Sequence, residues 1–278
     1  MVWGARLSGF LLFRIVKTGK DDRFDDKRDK FFPFLGFWVF QMLWVWTVSL
    51  PVTLLNSPNV TMYQQPKFGT GRDIAGVILF VIGFFMESFS DIQKYNFRSK
   101  PENKGKVCDV GLFVWTRHPN YFGEIIIQFC RLNSAILKYL KLTLLAIYMI
   151  AVSPAADGYV HGGAYRALYA SILGPFFLTI LLMFVSGLPL QERPGAKKRY
   201  ESGNHWDSYA EYSKRTSILI PFPPQLYVRM PVILKRTIFL EFPLYVFDPA
   251  KHADQDKLRQ REAEEGATGS ATGHTHDR

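Results

Sequence analysis

The sequence is poor in what metal centres and disulfide scaffolds require. Its 278 residues hold two cysteines, Cys108 and Cys130, at no paired spacing, which rules out a disulfide framework and a CxxC motif. No HExxH occurs, the six histidines are scattered, and His274 and His276 sit in a tail of Gly, Ser, Thr and Ala. No metal site is expected. Charge is missing too, but only locally: Phe31 to Pro66 contains no Asp, Glu, Lys or Arg.

What fills that gap is apolar. Pro33 to Leu55 supplies 23 apolar or weakly polar residues, enough to cross a hydrocarbon core of about 30 Å. Ile74 to Met86 is a second run, extendable to about Ser90, and Ala164 to Leu190 is a third. Aromatics crowd the stretch FWVFQMLWVW, as suits rings that sit half in lipid and half in water. These patterns predict an all-α, polytopic transmembrane helical bundle with the lipid bilayer as its first partner. Met1 to Val16 is apolar but short and carries Arg6 and Arg14, so it reads as a tilted or truncated first helix rather than a cleaved signal.

The net charge of +10 invites a nucleic-acid reading, but the placement of the bases rejects one. Segments 17–30, 92–118 and 191–217 hold six Lys or Arg each; loop 56–72 holds two and loop 153–163 none. That asymmetry is the pattern of basic loops retained in the cytosol. The stretch from Tyr121 to Ser153 reads as one tilted span interrupted by Arg131, Lys138 and Lys141. IPFPP breaks the chain after Leu219, the segment 225–250 reads as a surface-lying interfacial helix, and the polar residues 251–278 read as disordered.

Two places carry chemistry. Glu87 and Asp91 stand at i and i+4, with Lys94 and Arg98 continuing the same spacing. An acid inside a span costs roughly 2.5–3.5 kcal/mol, so it forms a helix-end salt-bridge ladder or lines a polar pocket whose bases meet a phosphate. The second place is GLFVWTRHPNYFGE, Gly111 to Glu124. Pro119 bends the chain at His118, and a helix is expected to begin with Asn120 as its N-cap, aiming free N–H groups and a positive dipole end at an anion. Arg117 and His118 flank that start. The bland reading is a capped helix with an interfacial Arg-His-Tyr anchor.

These segments also carry a family resemblance. RLSGFLLFRI followed by DDRFDD, then LPVTLLN, ESFSDIQKYNFR, GLFVWTRHPNYFGE, and SGLPLQER leading to YAEYSKRTSILIPFPP resemble the steroid 5-alpha-reductase-like superfamily over roughly residues 4–224. That superfamily includes sterol C14 reductases and, more remotely, isoprenylcysteine methyltransferases; the chain looks closest to an uncharacterised branch. The resemblance implies NADPH held by Asp91, Lys94, Arg98, Arg117, His118, Asn120, Tyr121, Glu124, Glu192 and a tyrosine among Tyr200, Tyr209 and Tyr212. It implies hydride transfer to an activated C=C bond of a lipid or sterol-like substrate, at the endoplasmic reticulum. Phe113 stands where the family usually has Trp. Gln41 lies beside the place of the family's carbonyl-polarising acid and Met42 on it, so Gln41 and Tyr63 are the candidates for handling the substrate. The expected organisation is an apolar helix and charged loop at 1–30, a transmembrane reductase-like domain at 31–224, then the interfacial segment and the tail. Two other functions fit the same residues: a membrane methyltransferase using S-adenosylmethionine, and a non-catalytic lipid-binding membrane protein.

Overall fold

The computed structural model describes residues 2–19, 29–64, 67–128, 146–261 and 263. Its elements are helical, with no strand among the described residues. Three helical runs, Phe31–Thr61, Asp73–Ser99 and Gly162–Ser202, are long and apolar enough to cross a membrane. The chain folds as two compact units: Met1–Phe89 with Phe122–Ile180, and Ser90–Tyr121 with Leu181–Arg278. The division interleaves the segments expected to form a single domain from 31 to 224.

In the first unit, α1 (Val2–Thr18), α2 (Phe31–Leu55) and the short α3 (Pro58–Thr61) lead into α4 (Gly71–Ser99). The α4 start is a capping box: Thr70 N donates to Asp73 Oδ2 at 3.0 Å while Asp73 N donates to Thr70 Oγ1 at 3.3 Å, so two orphan donors are satisfied reciprocally. α4 runs nine residues past the expected end at Ser90, because the Asp91–Arg98 segment keeps helical spacing beyond the apolar run. α5 (Pro119–Gln128) and α6 (Ala146–Ala156) are the described parts of the expected span 121–153. Arg131, Lys138 and Lys141 lie outside the described residues.

The third apolar run is not one straight helix. It forms α7 (Gly162–Ala170) and α8 (Leu173–Ile180), broken by the turn at Ser171–Ile172. α2 packs against α6, α7 and α8. Pro51 inside α2 has no N–H to give the Thr47 carbonyl, and it is there that Gly174 of α8 comes close: a Cβ on Gly174 would strike Thr47 O. A core of Val60, Val152, Ala155, Val160 and Leu168 closes one end. Outward, Trp38, Met42, Val45 and Trp46 of α2 are exposed, the lipid face of a membrane helix.

The second unit is built on α9 (Leu188–Ser202) and α10 (Trp206–Arg215). Before α9, Leu181–Val185 is a π turn, and Tyr245 Oη donates to Met183 O within it at 2.5 Å, satisfying a carbonyl in the irregular stretch. Segment 225–250 is not one surface helix. It breaks at Pro231 into α11 (Pro224–Tyr227) and α12 (Val232–Thr237), and Tyr227, Phe239 and Tyr245 are buried. Alternating aromatics among its bases read as amphipathic in sequence, yet they pack inward. The segment expected to be disordered from 251 holds structure as far as it is described. α13 (Pro249–His252) is capped by Asp248, residues 255–261 are helical, Asp254 N donates to Glu201 Oε1 at 2.9 Å and Arg261 Nη1 to Tyr200 O at 3.0 Å. Polar anchors replace the apolar ones that composition looks for. Residues 264–278 lie outside the described part.

Candidate functional site

The RHPN loop belongs to the second unit, and its backbone is pinned first. Thr116 and Ser217 form a short parallel bridge, Arg117 N donates to Ser217 O at 2.8 Å, and Phe222 N to Trp115 O at 3.0 Å. Thr116 Oγ1 donates to Leu219 O at 2.9 Å. Pro119, not Asn120, opens α5; proline suits the first helical position because its absent N–H is one the helix leaves unused there. Asn120 therefore lies inside the first turn rather than capping it.

Around this loop stands a buried ion cluster. Arg117 Nη1 donates to Glu192 Oε2 at 2.5 Å and Arg117 Nη2 to Glu241. His118 Nε2 is 2.6 Å from Glu192 Oε1, and Tyr227 Oη donates to Glu241 Oε2 at 2.8 Å. Side-chain exposure is 7% for Arg117, 6% for His118 and 6% for Glu192. Burial works against the Arg117 charge, but Glu192 and Glu241 outweigh it and hold the guanidinium's proton above its ordinary range. Burial pushes the His118 imidazole below its ordinary value, with Lys94 and Arg117 adding to the effect and Glu192 opposing it. A neutral His118 facing a carboxylate carries its hydrogen on Nε2. Nδ1 is then an acceptor, and it is buried with no hydrogen-bond partner; Asn120 Oδ1 is in the same condition.

The other expected cofactor residues divide into two groups. Lys94 lies within electrostatic reach of Asp91, Arg98 and Glu192, with its ammonium 5.8 Å from the centre of the Phe113 ring. Tyr121 stacks on His118, ring centres 5.2 Å apart and planes 6° apart, and accepts from Gln191 Nε2. Burial first, then the charge of Glu192, pushes the Tyr209 hydroxyl up. These residues gather around Glu192. Tyr212 and Tyr200 have structural work: Tyr212 Oη donates to Phe113 O at 2.7 Å, and Tyr200 packs against Trp206 and Phe247 at 5.1 and 5.6 Å. Arg98 is exposed.

Two participants were missed in the sequence. Glu241 lies 124 residues from Arg117 in a segment read only as interfacial. Arg199, counted as one more loop base, donates to Gly105 O at 2.6 Å, sits over the Tyr209 ring at 5.4 Å and feels the charge of Arg98. No local pattern marks Glu241; the run Lys197-Lys198-Arg199 was the available signal for the other.

Glu124, Gln41 and Tyr63 belong to the first unit. Glu124 accepts from Trp3 Nε1 at 3.2 Å and also contacts Glu87. Glu87 forms an ion pair with Arg6 of α1 at 2.5 Å, a partner that neither the ladder nor the pocket reading of α4 included. Gly123 serves a neighbouring helix: a Cβ there would lie 2.6 Å from Gly83 O. Gln41 is half-buried in mid-α2. Tyr63 Oη donates to His161 O at 3.3 Å, beyond the end of α2. Fourteen residues of helix, about 21 Å of rise, separate Gln41 from that end, so the two do not form one site.

The cluster fits a dinucleotide in two respects. Lys94, Arg98 and Arg199 suit phosphates, and the buried acceptors on His118 and Asn120 suit an amide donor. Arg117 fits less well, since two carboxylates already match its charge.

Fold and composition together define an all-helical membrane protein. The chain belongs to the family described as a protein of unknown function (DUF1295), whose model matches residues 1–154 and 161–216; this family lies in the steroid 5-alpha-reductase-like superfamily. No curated protein matches the chain, and no solved structure does.

Proposed function

We propose that this protein is an NADPH-dependent membrane reductase acting on a C=C bond of a lipid or steroid-like substrate. It would sit in the endoplasmic reticulum with its basic loops cytosolic, as their excess of Lys and Arg favours. The observation that carries the reading is the gathering of Lys94, His118 and Tyr209 around Glu192, with Tyr121 stacked on His118, beside two buried acceptors that have no partner. Bound there, NADPH would supply a hydride. Lys94, Arg98 and Arg199 would meet its phosphates, His118 Nδ1 and Asn120 Oδ1 would accept from its amide, and the Arg117–Glu192 pair would fix the loop that bears them.

The pairing of Arg117 with two carboxylates favours a second reading, a non-catalytic lipid-binding protein, because a neutralised guanidinium offers a phosphate little. Titration of the purified full chain decides between them, with NADPH in one cell and S-adenosylmethionine in another. NADPH should bind, and Asn120→Ala or Arg98→Ala should each weaken it by roughly tenfold, about 1.4 kcal/mol, with membrane insertion intact. Binding of S-adenosylmethionine alone would make the chain a methyltransferase, and binding of neither would leave the non-catalytic reading.

A further inference from the structure

In the second unit, the segment 221–247 sorts its side chains by kind. Its rings turn inward: Tyr227, Phe239 and Tyr245 are buried, and Phe222 and Tyr227 both pack edge-on against Phe239. Its aliphatic chains turn outward: Leu226, Val228, Val232, Ile233 and Ile238 are each more than half exposed, Ile233 most of all at 69%. Its one acid, Glu241, is given to Arg117 and Tyr227. Lys235 lies over the Tyr227 ring, its ammonium 4.4 Å from the ring centre, whereas Arg229 and Arg236 are exposed among the aliphatic chains. The outward side thus carries apolar chains and guanidinium groups, and no carboxylate of the segment's own.

We propose that this ridge is a membrane-docking surface: Val232, Ile233 and their aliphatic neighbours enter the edge of a leaflet, and Arg229 and Arg236 bind the phosphates of anionic phospholipids there. The proposal does not rest on the reductase reading.

Contacts inside the second unit set the depth of the segment. Phe242 stacks on Phe184, ring centres 5.6 Å apart, and Tyr245 Oη donates to Met183 O at 2.5 Å. Met183 and Phe184 belong to the apolar run that closes at Leu190. Arg193, the first base beyond that run, donates from Nη2 to Pro243 O at 2.9 Å. The turn at 242–245 is therefore strapped between the last apolar residues of a membrane-spanning run and its first base, where hydrocarbon gives way to headgroups. The ridge ends at Ile238, four residues before Phe242. Aliphatic chains left uncovered beside such a border gain by entering lipid, and a guanidinium next to them meets phosphate oxygens with paired N–H bonds. A protein partner would have to present acids in register with both arginines; an anionic leaflet presents phosphates all along the ridge, and an aliphatic face edged with bases is the pattern that lies in such a leaflet.

The test uses the full chain in lipid nanodiscs. With Cys108→Ser and Cys130→Ser in place, Ile233→Cys carries a fluorophore that nitroxides quench. Nitroxide-bearing phosphatidylserine should quench it in preference to nitroxide-bearing phosphatidylcholine by roughly 25-fold, about fivefold for each arginine, and a water-soluble nitroxide should quench it little. Arg229→Gln together with Arg236→Gln should bring that preference close to one while the phosphatidylcholine label still quenches. Quenching by the water-soluble nitroxide alone would overturn the docking surface, and so would a fluorophore that neither kind of nitroxide reaches, the result expected where another protein covers the ridge. Equal quenching by the two lipids with both arginines present would overturn the headgroup contact. The wild-type chain gives a second reading that needs no label. Hydrogen exchange across 226–238 should be slower in discs containing phosphatidylserine than in phosphatidylcholine alone, and equal exchange overturns the proposal.

Discussion

Among the described residues, each unit sets a guanidinium beside two carboxyl groups: Arg117 with Glu192 and Glu241 in the second, and Arg6 with Glu87, which Glu124 contacts, in the first. In the second unit, Glu192 and Glu241 receive hydrogen bonds from both ends of Arg117, from His118 and from Tyr227, and Glu241 keeps 18% of its side chain exposed. Two of those four bonds come from one guanidinium, which ties both acids to the RHPN loop. In the first unit, Arg6 serves Glu87, and Glu124 has Trp3 as its N–H donor. The first cluster ties α1 to α4 and α5, whereas the second ties the RHPN loop to α9 and to the segment after α12. A buried carboxyl is tolerated where donors or cations answer it, so each cluster fixes the elements that bear its partners.

That contrast breaks most sharply at Arg117. Arg117→Met should cost about 3–5 kcal/mol of stability, because it leaves the buried Glu192 and the part-buried Glu241 without this cation; a loss below about 1 kcal/mol in chemical unfolding in mixed micelles would show that the second cluster does not depend on its ion pairs. The two glutamates of the first unit should then differ from each other. Glu87→Gln removes the carboxylate that Arg6 holds and should cost about 1–3 kcal/mol. Smallest of all, Glu124→Gln keeps an oxygen to accept from Trp3 Nε1 and should cost less than about 1 kcal/mol. Equal losses in the two would show that the Arg6 ion pair adds nothing beyond what the Trp3 hydrogen bond does.

His118 supplies a pH arm. Its imidazole is held below the ordinary value of 6.5 by burial, so the unfolded chain binds a proton first as the solution is acidified. Stability should therefore fall as pH drops below about 6.5, by about 1.4 kcal/mol per pH unit, until the folded imidazole also protonates. His118→Gln should remove that part of the slope, as unfolding curves collected at several pH values will show; a slope identical to wild type would mean that the folded His118 takes up its proton as readily as the unfolded one.

Much of the fold was readable along the chain. Pro33–Leu55 anticipated α2, and Ile74–Met86 the apolar part of α4, because a bilayer imposes a length that composition alone reveals. The bend at His118-Pro119 was readable too, since proline restricts its neighbour locally. What failed was anything set by a distant partner. Glu87 offered a ladder or a pocket within α4, and its ion pair with Arg6, 81 residues away, belonged to neither. The pairing of Arg117 with Glu241, 124 residues away, had no local sign either. Asn120 was taken for the cap although proline at the preceding position is itself a good helix start. The aromatics of 225–250 read as lipid-facing because hydropathy does not say whether a ring meets lipid or the protein's own interior.

Hydrogen exchange on the full chain, with and without saturating NADPH, tests the central claim most directly. The cofactor reading predicts slowed exchange at the first-turn amides of α5 around Asn120 and Tyr121 and in segments 91–118 and 191–212, with α2 unchanged. Exchange in those segments that is the same with and without NADPH would contradict it.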